Sequence, residues 1–334
     1  MENILEIRGL TKTYPGVVAL NNLSLSVRRG ECHAIVGENG AGKSTLIKSV
    51  AGAITPDSGT ITFEGTEYTS LDPTLSKKIG IGVIYQEFVL CPALTIAENI
   101  FLGERLTPGA FQNEALMNQK AQEILDRFKV EGLKATALVR DLSTAYQQLV
   151  EIAKAIAKKS KLIIMDEPTA PLTEREVSVL FRIIQELKAS GITIIYISHR
   201  LDELYEVSDR VTVMRDGCYI TTTDTADVTK DQLIAYMVGR ELKKDFAERN
   251  SRTEEVLLET KNLGGNGVEP FSIKLHKGEV LGFGGLVGAG RTEYAQLIFG
   301  AAPKECGSIY LNGKQVEINS PEDAVKYGIG MVPE

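Results

Sequence analysis

The chain has 334 residues, of which 43% are hydrophobic and 24% are charged, and its formal net charge is −7. At about 150 residues per domain this length indicates two domains, and the composition excludes disordered and fibrous classes. The acidic balance argues against nucleic-acid binding, which needs clustered Lys and Arg. No run reaches the roughly 18 apolar residues that span a bilayer, and no signal peptide is recognisable at the start, so we expect a cytoplasmic location.

The first chemical motif is a glycine-rich loop. Cys32–Val36 is an apolar run typical of a buried strand, helical periodicity follows over residues 45–51, and the intervening residues 37–44 match G-x-x-x-x-G-K-[ST]. In such a loop backbone N–H groups and the helix N-terminus bind phosphate oxygens, Lys43 reaches the β- and γ-phosphates, and Ser44 holds Mg²⁺. The predicted ATP-binding residues are Gly37, Glu38, Asn39, Gly40, Ala41, Gly42, Lys43, Ser44 and Thr45.

Downstream of the loop the pattern alternates between strands and helices. A strand predicted over residues 82–85 is followed by Gln86, whose amide oxygen is a ligand for Mg²⁺ or water. From residue 88 to residue 160 the pattern is mostly helical, with helices predicted at Glu114–Phe128 and Gln147–Lys158. We therefore expect a layered α/β domain whose sheet is interrupted by a helical subdomain.

Two later strands end in polar side chains. The apolar run from Leu162 to Met165 is followed by Asp166 and Glu167, which are placed to assist Mg²⁺ and to polarise an attacking water. His199 follows the apolar strand over residues 192–197, where a neutral imidazole is placed to contact the γ-phosphate and hold the water against Glu167. The alternative for Asp166 and Glu167 is an acidic pair at a helix N-terminus, and the alternative for His199 is a structural histidine.

The chain also contains an internal repeat. Gly37, Gly40 and Gly42 recur without a gap as Gly285, Gly288 and Gly290, and the match continues to the end of the chain. Measured against the first copy the second is incomplete, so we expect this chain to be a fragment and a complete relative to have roughly 487 residues. The predicted division is a first domain at residues 1–240, a polar linker at 241–255, and part of a second domain at 256–334.

Taken in order, these motifs resemble those of the ABC ATPase family over the whole chain. The resemblance implies a P-loop NTPase fold with a helical subdomain, followed by an incomplete second domain of the same kind. It makes Gln86 the Q-loop glutamine, Glu167 the catalytic glutamate and His199 the H-loop histidine, which with Lys43 form the catalytic set. It also makes Tyr14 an aromatic that stacks on adenine, for which a core tyrosine is the alternative. The implied signature residues are Leu142, Ser143, Thr144, Ala145, Tyr146 and Gln147, and the implied Mg²⁺ ligands are Ser44, Gln86 and Asp166.

Segments starting at Tyr14, Val150 and Met237 narrow the resemblance to tandem ATPase subunits of ribose-, galactose- and xylose-type importers. This implies ATP hydrolysis that energises sugar import through a separate membrane permease, at the cytoplasmic face of the membrane. An extracytoplasmic sugar-binding protein is the implied indirect partner. Phe88–Glu104 is the predicted permease contact, with core packing as the alternative.

The sequence departs from the family pattern in two places. Thr144, Ala145 and Tyr146 stand where the signature has Gly-Gly-Gln, which adds Cβ atoms where close backbone approach is needed. In the second copy Arg291 replaces the loop lysine, and Glu293 brings a negative charge near the phosphates. Because the family's sites are composite, with a second ATPase domain or subunit as partner, we expect an impaired second site and weak activity of this chain alone.

Two alternatives belong to other functional classes. A soluble tandem ATPase factor acting on ribosomes or DNA needs a basic surface, which a chain with 44 acidic against 37 basic residues does not indicate. A nucleotide-responsive binding module with little hydrolysis would not need Glu167 and His199. The energising subunit of a sugar importer therefore remains the leading hypothesis.

Overall fold

The computed structural model describes residues 2–86, 88–104, 106, 113–128, 130, 132–239, 253–286 and 288–333. The chain divides into two compact units, Met1–Leu242 and Lys243–Glu334. Most of the linker expected at residues 241–255 lies outside the described residues.

The strands of the first unit are β1 (Asn3–Tyr14), β2 (Val17–Arg28), β3 (Cys32–Val36), β4 (Ser58–Phe63), β5 (Thr66–Tyr68), β6 (Ile81–Ile84), β7 (Leu162–Asp166), β8 (Thr193–Ile197), β9 (Arg210–Arg215) and β10 (Cys218–Asp224). Its helices are α1 (Lys43–Val50), α2 (Pro73–Ile79), α3 (Ile96–Ile100), α4 (Glu114–Asp126), α5 (Thr144–Ala157), α6 (Glu174–Ala189), α7 (Leu201–Val207) and α8 (Lys230–Val238). The alternation of strands and helices confirms the predicted α/β class.

The central sheet of the first unit has the strand order β10-β9-β3-β8-β7-β6. All neighbours in it are parallel except the edge pair β9 and β10, which is antiparallel. The carboxyl ends of parallel strands lie along one edge of a sheet, and this edge is where such folds bind ligands. The segments that follow β3, β6, β7 and β8 are therefore brought to the same edge.

Both faces of the central sheet are buried. Successive residues of a strand point to opposite faces: Ala34 and Tyr196 belong to a core shared with α4, α5 and α6, whereas Ile35 and Ile195 belong to a core shared with α1 and β1. The second core is closed by an antiparallel sheet of order β2-β1-β4-β5. Burial on both sides explains why these strands are uninterrupted apolar runs rather than alternating patterns.

Two helices start earlier than the sequence analysis predicted. Helix α5 begins at Thr144 instead of Gln147, because Ser143 is its N-cap and the Ser143 Oγ accepts a hydrogen bond from the Tyr146 N–H at 3.4 Å. Helix α1 begins at Lys43 instead of residue 45, because a left-handed Gly42 turns the chain into the helix there. Cap geometry of this kind sets where a helix starts more finely than hydrophobic periodicity does.

The second unit contains strands β11 (Val256–Gly265), β12 (Val268–His276), β13 (Cys306–Leu311) and β14 (Lys314–Val316), with helices α9 (Arg291–Phe299) and α10 (Pro321–Lys326). These strands form an antiparallel sheet of order β12-β11-β13-β14. Val280 and Phe283, the repeat counterparts of the buried Cys32 and Ile35, are exposed and lie outside any strand. In the described part of this unit nothing corresponds to β8 and β9, between which β3 is held.

Candidate functional site

The glycine-rich loop at residues 37–42 joins β3 to α1, as the sequence predicts. Gly40 and Gly42 have φ angles of 86° and 95°, in the left-handed region that favours glycine. A Cβ atom on Gly37 would lie 2.3 Å from the Met214 carbonyl oxygen, and one on Gly42 would lie 2.4 Å from the Ala19 carbonyl oxygen. The neighbouring strands therefore admit only glycine at Gly37 and Gly42.

Lys43 folds back into this loop. Its Nζ donates to the Gly37 carbonyl oxygen at 2.7 Å and to the Glu38 carbonyl oxygen at 3.0 Å. Burial lowers the Lys43 pKa, while the nearby Glu167 and Asp166 carboxylates partly restore it. The ammonium group thus lies among the loop carbonyls and within electrostatic reach of both strand-end carboxylates.

The remaining predicted loop residues surround this lysine. No side chain caps the start of α1, and no acidic residue lies in its first turn, so the positive end of the helix faces the loop uncompensated. Ser44 is exposed at the second position of the helix, and Ala41 is buried. The loop residues Glu38, Asn39 and Gly40 are exposed, and Thr45 is half-buried.

The carboxyl ends of β7 and β8 bring three further predicted residues together. Asp166 lies opposite Ile197 in the strand register, and the Glu167 N–H donates to the Ile197 carbonyl oxygen at 2.9 Å. The Nδ1 of His199 lies 3.3 Å from Oε1 of Glu167. The structure thus pairs the two side chains that the sequence analysis assigned to the attacking water.

Glu167 has a φ angle of 49°, which is unfavourable for a residue with a side chain. Strained positions of this kind cluster at functional sites, where the surrounding structure holds them. Here the backbone bond to Ile197 fixes the turn that aims the carboxylate toward His199. The sequence carries no signal of this strain, because neither glycine nor asparagine marks the position.

Asp166 and Glu167 are both half-buried, and burial has a clear effect on Asp166. Burial raises its pKa, and the adjacent Glu167 raises it further, whereas Lys43 and Lys48 oppose both effects. Tyr85 follows β6 directly, and burial raises its pKa while the nearby Asp166 charge raises it further. Gln86 follows directly and is exposed, so it lies beside this edge of the sheet with its amide open to solvent.

A β-hairpin extends past the glycine-rich loop. Tyr14 pairs with Val17 across its two-residue turn, and Ala19 on the same hairpin contacts Gly42. Tyr14 is 41% exposed, and Val17 and Val18 are more exposed still. An aromatic ring that was only a core residue would be buried, so the structure disfavours the core alternative for Tyr14.

The signature residues lie at the start of α5. Ser143 caps the helix, the Thr144 Oγ1 donates to the Pro171 carbonyl oxygen at 3.4 Å, and the Gln147 Nε2 donates to the Leu142 carbonyl oxygen at 3.1 Å. Ala145 and Tyr146 complete the first turn. This segment is therefore an ordered helix N-terminus, not a flexible loop.

The second copy keeps the loop conformation but changes its surroundings. Gly288 and Gly290 both have a φ of 81°, as expected for a repeat of Gly40 and Gly42. However, Gly290 faces the side chain of Val268, the first residue of β12. Val268 pairs across the hairpin turn with Gly265, so a glycine stands where Tyr14 pairs with Val17 in the first copy. Glu293 lies in the first turn of α9, where its charge opposes anion binding.

The donor set beside the first loop suits one kind of metal ion. Among the residues that the structure describes, no group of three or more His, Cys, Asp and Glu side chains is arranged to hold a metal. Mg²⁺ is normally held by one or two carboxylates together with phosphate oxygens and water. The Ser44 hydroxyl and the Asp166 carboxylate therefore fit Mg²⁺ that arrives with a nucleotide.

Comparisons with known proteins show which family the chain belongs to. Residues 20–170 match the family model of the ABC transporter. The chain is 46% identical, over 99% of its length and 66% of the relative's, to the putative ribose/galactose/methyl galactoside import ATP-binding protein 1 of Agrobacterium fabrum. It is 44% identical, over 100% of its length and 67% of the relative's, to the ribose import ATP-binding protein RbsA 1 of Rubrobacter xylanophilus. The chain belongs to the ABC transporter ATPase family.

Solved ABC cassettes share the fold. A nucleotide-free ATP-binding cassette from an ABC transporter aligns with a TM-score of 0.61 at 30% identity, over 71% of this chain and 96% of that one. A dimeric cassette in a post-hydrolysis state, bound to ADP and phosphate, aligns with a TM-score of 0.58 at 27% identity, over 66% of this chain and 98% of that one. The length of one cassette thus corresponds to about two thirds of this ABC ATPase chain.

The chain covers only part of the length of its curated relatives. The chain spans between 64% and 67% of the relatives described above and of a Burkholderia ambifaria protein with the same name as the Agrobacterium one. Within the described residues, no helix is long and apolar enough to cross a membrane.

Proposed function

We propose that this chain binds ATP with Mg²⁺, hydrolyses the ATP, and thereby energises import of a simple sugar through a separate membrane permease. The observation that carries the proposal is the convergence of Lys43, Asp166, Glu167 and His199 at one edge of the central sheet. The names of its relatives, which are import ATP-binding proteins for ribose or for ribose, galactose and methyl galactoside, support the sugar class.

In this proposal the phosphates enter the loop at residues 37–42, where backbone N–H groups and the start of α1 bind them. The Lys43 ammonium exchanges its bonds to the Gly37 and Glu38 carbonyl oxygens for phosphate oxygens, which keeps it paired in both states. Tyr14 supplies a ring for the adenine to stack on. The hairpin position beside Gly42 supports this role, because it sets an exposed aromatic next to the phosphate loop.

Glu167 polarises the water that attacks the γ-phosphate, and His199 holds Glu167 and the water in register. The 3.3 Å separation of the His199 Nδ1 and the Glu167 Oε1 supports this pairing. Ser44, Gln86 and Asp166 would hold Mg²⁺, which when bound neutralises the charge of the phosphates. Burial and the neighbouring Glu167 raise the pKa of Asp166, and a bound cation would stabilise its ionised form.

We also propose that the permease docks beside Gln86. A cleft of about 190 Å³ lies there, lined among others by Tyr85, Val89, Lys154 and Lys158. Val89 is 61% exposed although its backbone is fixed by hydrogen bonds to Glu151 and Lys154. Such a preformed surface suits a permease segment with apolar and acidic side chains.

The segment Phe88–Glu104 therefore divides into two parts. Its second half contains α3, with Ile96, Ala97 and Ile100 fully buried, and this part is core. Its first half, around Val89, is the part that we propose for contact with a permease. An acidic, apolar permease segment placed here would hold the chain at the cytoplasmic face of the membrane, with a sugar-binding protein as an indirect partner.

The domain assignment and the composite site are proposals as well. We assign residues 1–240 to the first ATPase domain, with its helical subdomain at about residues 88–160. Residues 241–255 would be the linker, and residues 256–334 the N-terminal part of a degenerate second domain. Because the signature at residues 142–147 would serve a partner domain, the chain alone is expected to bind ATP more readily than it hydrolyses it.

The Glu167→Gln variant tests the hydrolytic role. We expect the kcat for ATP to fall by about 100-fold or more, since a general base contributes on this scale, while the Kd for ATP changes by less than a few fold. The bound nucleotide extracted from the purified variant should be ATP rather than ADP. An unchanged kcat would contradict the role assigned to Glu167.

Co-purification tests the transport assignment. The tagged chain is expected to retain a membrane permease from a detergent extract, and a charge reversal in the cleft, Lys154→Glu, should release it. The matched control is Lys304→Glu, which changes the same charge on the second unit. Retention that is equal in both variants would argue against the docking cleft, and absence of any permease would argue against the transport role.

A further inference from the structure

A buried carboxylate that the proposed mechanism does not use contacts the segments that carry Glu167 and His199. Glu203, in α7, is 5% exposed. Three hydroxyl groups donate hydrogen bonds to its Oε2: the Thr169 Oγ1 at 2.9 Å, the Tyr196 OH at 2.8 Å and the Ser198 Oγ at 2.9 Å. The Arg200 Nη1 lies 2.9 Å from Oε1 as an ion pair. One carboxylate thus holds four side chains.

These four side chains come from the two segments that carry the proposed hydrolytic pair. Thr169 lies two residues after Glu167, in the segment that leaves β7. Ser198 and Arg200 flank His199 on both sides, and the Arg200 N–H donates to the Ser198 Oγ at 3.0 Å. Glu203 therefore ties the segment of Glu167 to the segment of His199 through Thr169, Ser198 and Arg200.

The groups around Glu203 are all donors or cations. Three hydroxyl groups donate to Oε2 and the Arg200 guanidinium lies near Oε1, a set that suits a carboxylate, which accepts hydrogen bonds. Burial raises the Tyr196 pKa and the adjacent Glu203 charge raises it further, so the phenol remains a donor. A glutamine in place of Glu203 would bring an NH₂ group that must itself donate, so some of the buried hydroxyls would lose their acceptor.

We propose that Glu203 is a positioning residue that fixes the separation of Glu167 and His199. The inference rests on the proposed hydrolytic function of that pair. Glu203 acts through the side chains of Thr169, Ser198 and Arg200, which it contacts. Because small displacements of catalytic groups are costly, its loss should affect turnover far more than nucleotide binding.

Glu31 provides a matched control. It is also a buried carboxylate, 7% exposed, with the His33 Nδ1 at 2.9 Å, the Arg210 Nη1 at 3.3 Å and the Arg28 N–H at 2.7 Å. It precedes β3, whereas the phosphate loop follows β3, so it lies at the opposite edge of the sheet from the proposed site. Glu31→Gln therefore disturbs a similar network without touching the hydrolytic pair.

The first experiment compares ATPase kinetics of Glu203→Gln and Glu31→Gln. We expect Glu203→Gln to lower kcat by about tenfold or more with the KM for ATP within about threefold. Glu31→Gln should lower the melting temperature but leave kcat within about twofold. Thr169→Val removes one hydrogen-bond donor to Glu203 and keeps the side-chain shape, so it should also lower kcat. This variant replaces Glu203→Gln in the test if Glu203→Gln does not fold. Equal kcat values for Glu203→Gln and Glu31→Gln would overturn the proposal.

The second experiment does not depend on activity. The chain has three histidines, His33, His199 and His276, so the imidazole region of a ¹H–¹⁵N spectrum can be resolved. Glu203→Gln should move the His199 signals and leave those of His33 in place, and Glu31→Gln should do the reverse. If His199 is unmoved by Glu203→Gln, the positioning role is refuted. A wild-type chain that does not bind ATP would instead refute the proposed function, while the His199 signals still decide the inference.

Discussion

Gly40 and Gly42 allow a test of the phosphate loop, because they share a positive φ angle and differ in the space available to an added Cβ atom. Both have positive φ angles, 86° and 95°, so an alanine at either position pays the left-handed penalty of about 1–2 kcal/mol. An added Cβ meets nothing within 4 Å at Gly40, whereas at Gly42 it lies 2.4 Å from the Ala19 carbonyl oxygen and 3.1 Å from the Leu20 Cδ2. The contacts at Gly42 force a backbone shift, which costs about 1–3 kcal/mol more.

We therefore expect Gly40→Ala to lower the free energy of unfolding of the first unit by about 1–2 kcal/mol, and Gly42→Ala by about 2–5 kcal/mol. Differential scanning calorimetry measures both, and the transition that Mg-ATP shifts upward is that of the first unit. For a unit of this size each kcal/mol corresponds to about 2–4 °C in Tm. If Gly42→Ala is no less stable than Gly40→Ala, the close packing of the hairpin against Gly42 is contradicted.

Two further predictions concern adenine binding by Tyr14 and the effect of the buried Asp166 on stability. Tyr14→Ala should weaken ATP binding by about 1–3 kcal/mol through loss of base stacking while Tyr14→Phe leaves it nearly unchanged, which isothermal titration can measure; equal affinities of the alanine variant and wild type would exclude the stacking role. Asp166→Asn should raise the Tm of the nucleotide-free chain near neutral pH, since burial raises the folded-state pKa of Asp166 and its ionised form is destabilising above that pKa. This advantage should shrink as the pH falls through the raised pKa, because protonation relieves the wild type; a lower Tm for Asp166→Asn at neutral pH would contradict the argument.

Much of the fold and of the site follows from local sequence. The glycine pattern and Lys43 identify the loop, because close backbone approach and positive φ angles limit the residue types that can stand there. The apolar runs before Asp166 and before His199 identify strands buried on both faces, because such strands need no alternation. The family of the protein is confirmed by comparison, whereas the roles of the individual site residues remain predictions.

Tertiary structure decided what depends on contacts between distant segments. The pairing of Glu167 with His199, the positive φ of Glu167 and the hydrogen bonds from Thr169 to Glu203 across 34 positions follow from the parallel order of β7 and β8. Val280 is exposed although its repeat counterpart Cys32 is buried, because in the described part of the second unit no strands correspond to β8 and β9. A strand is stable only beside its neighbours, so its sequence specifies an apolar run but not which partners will cover it.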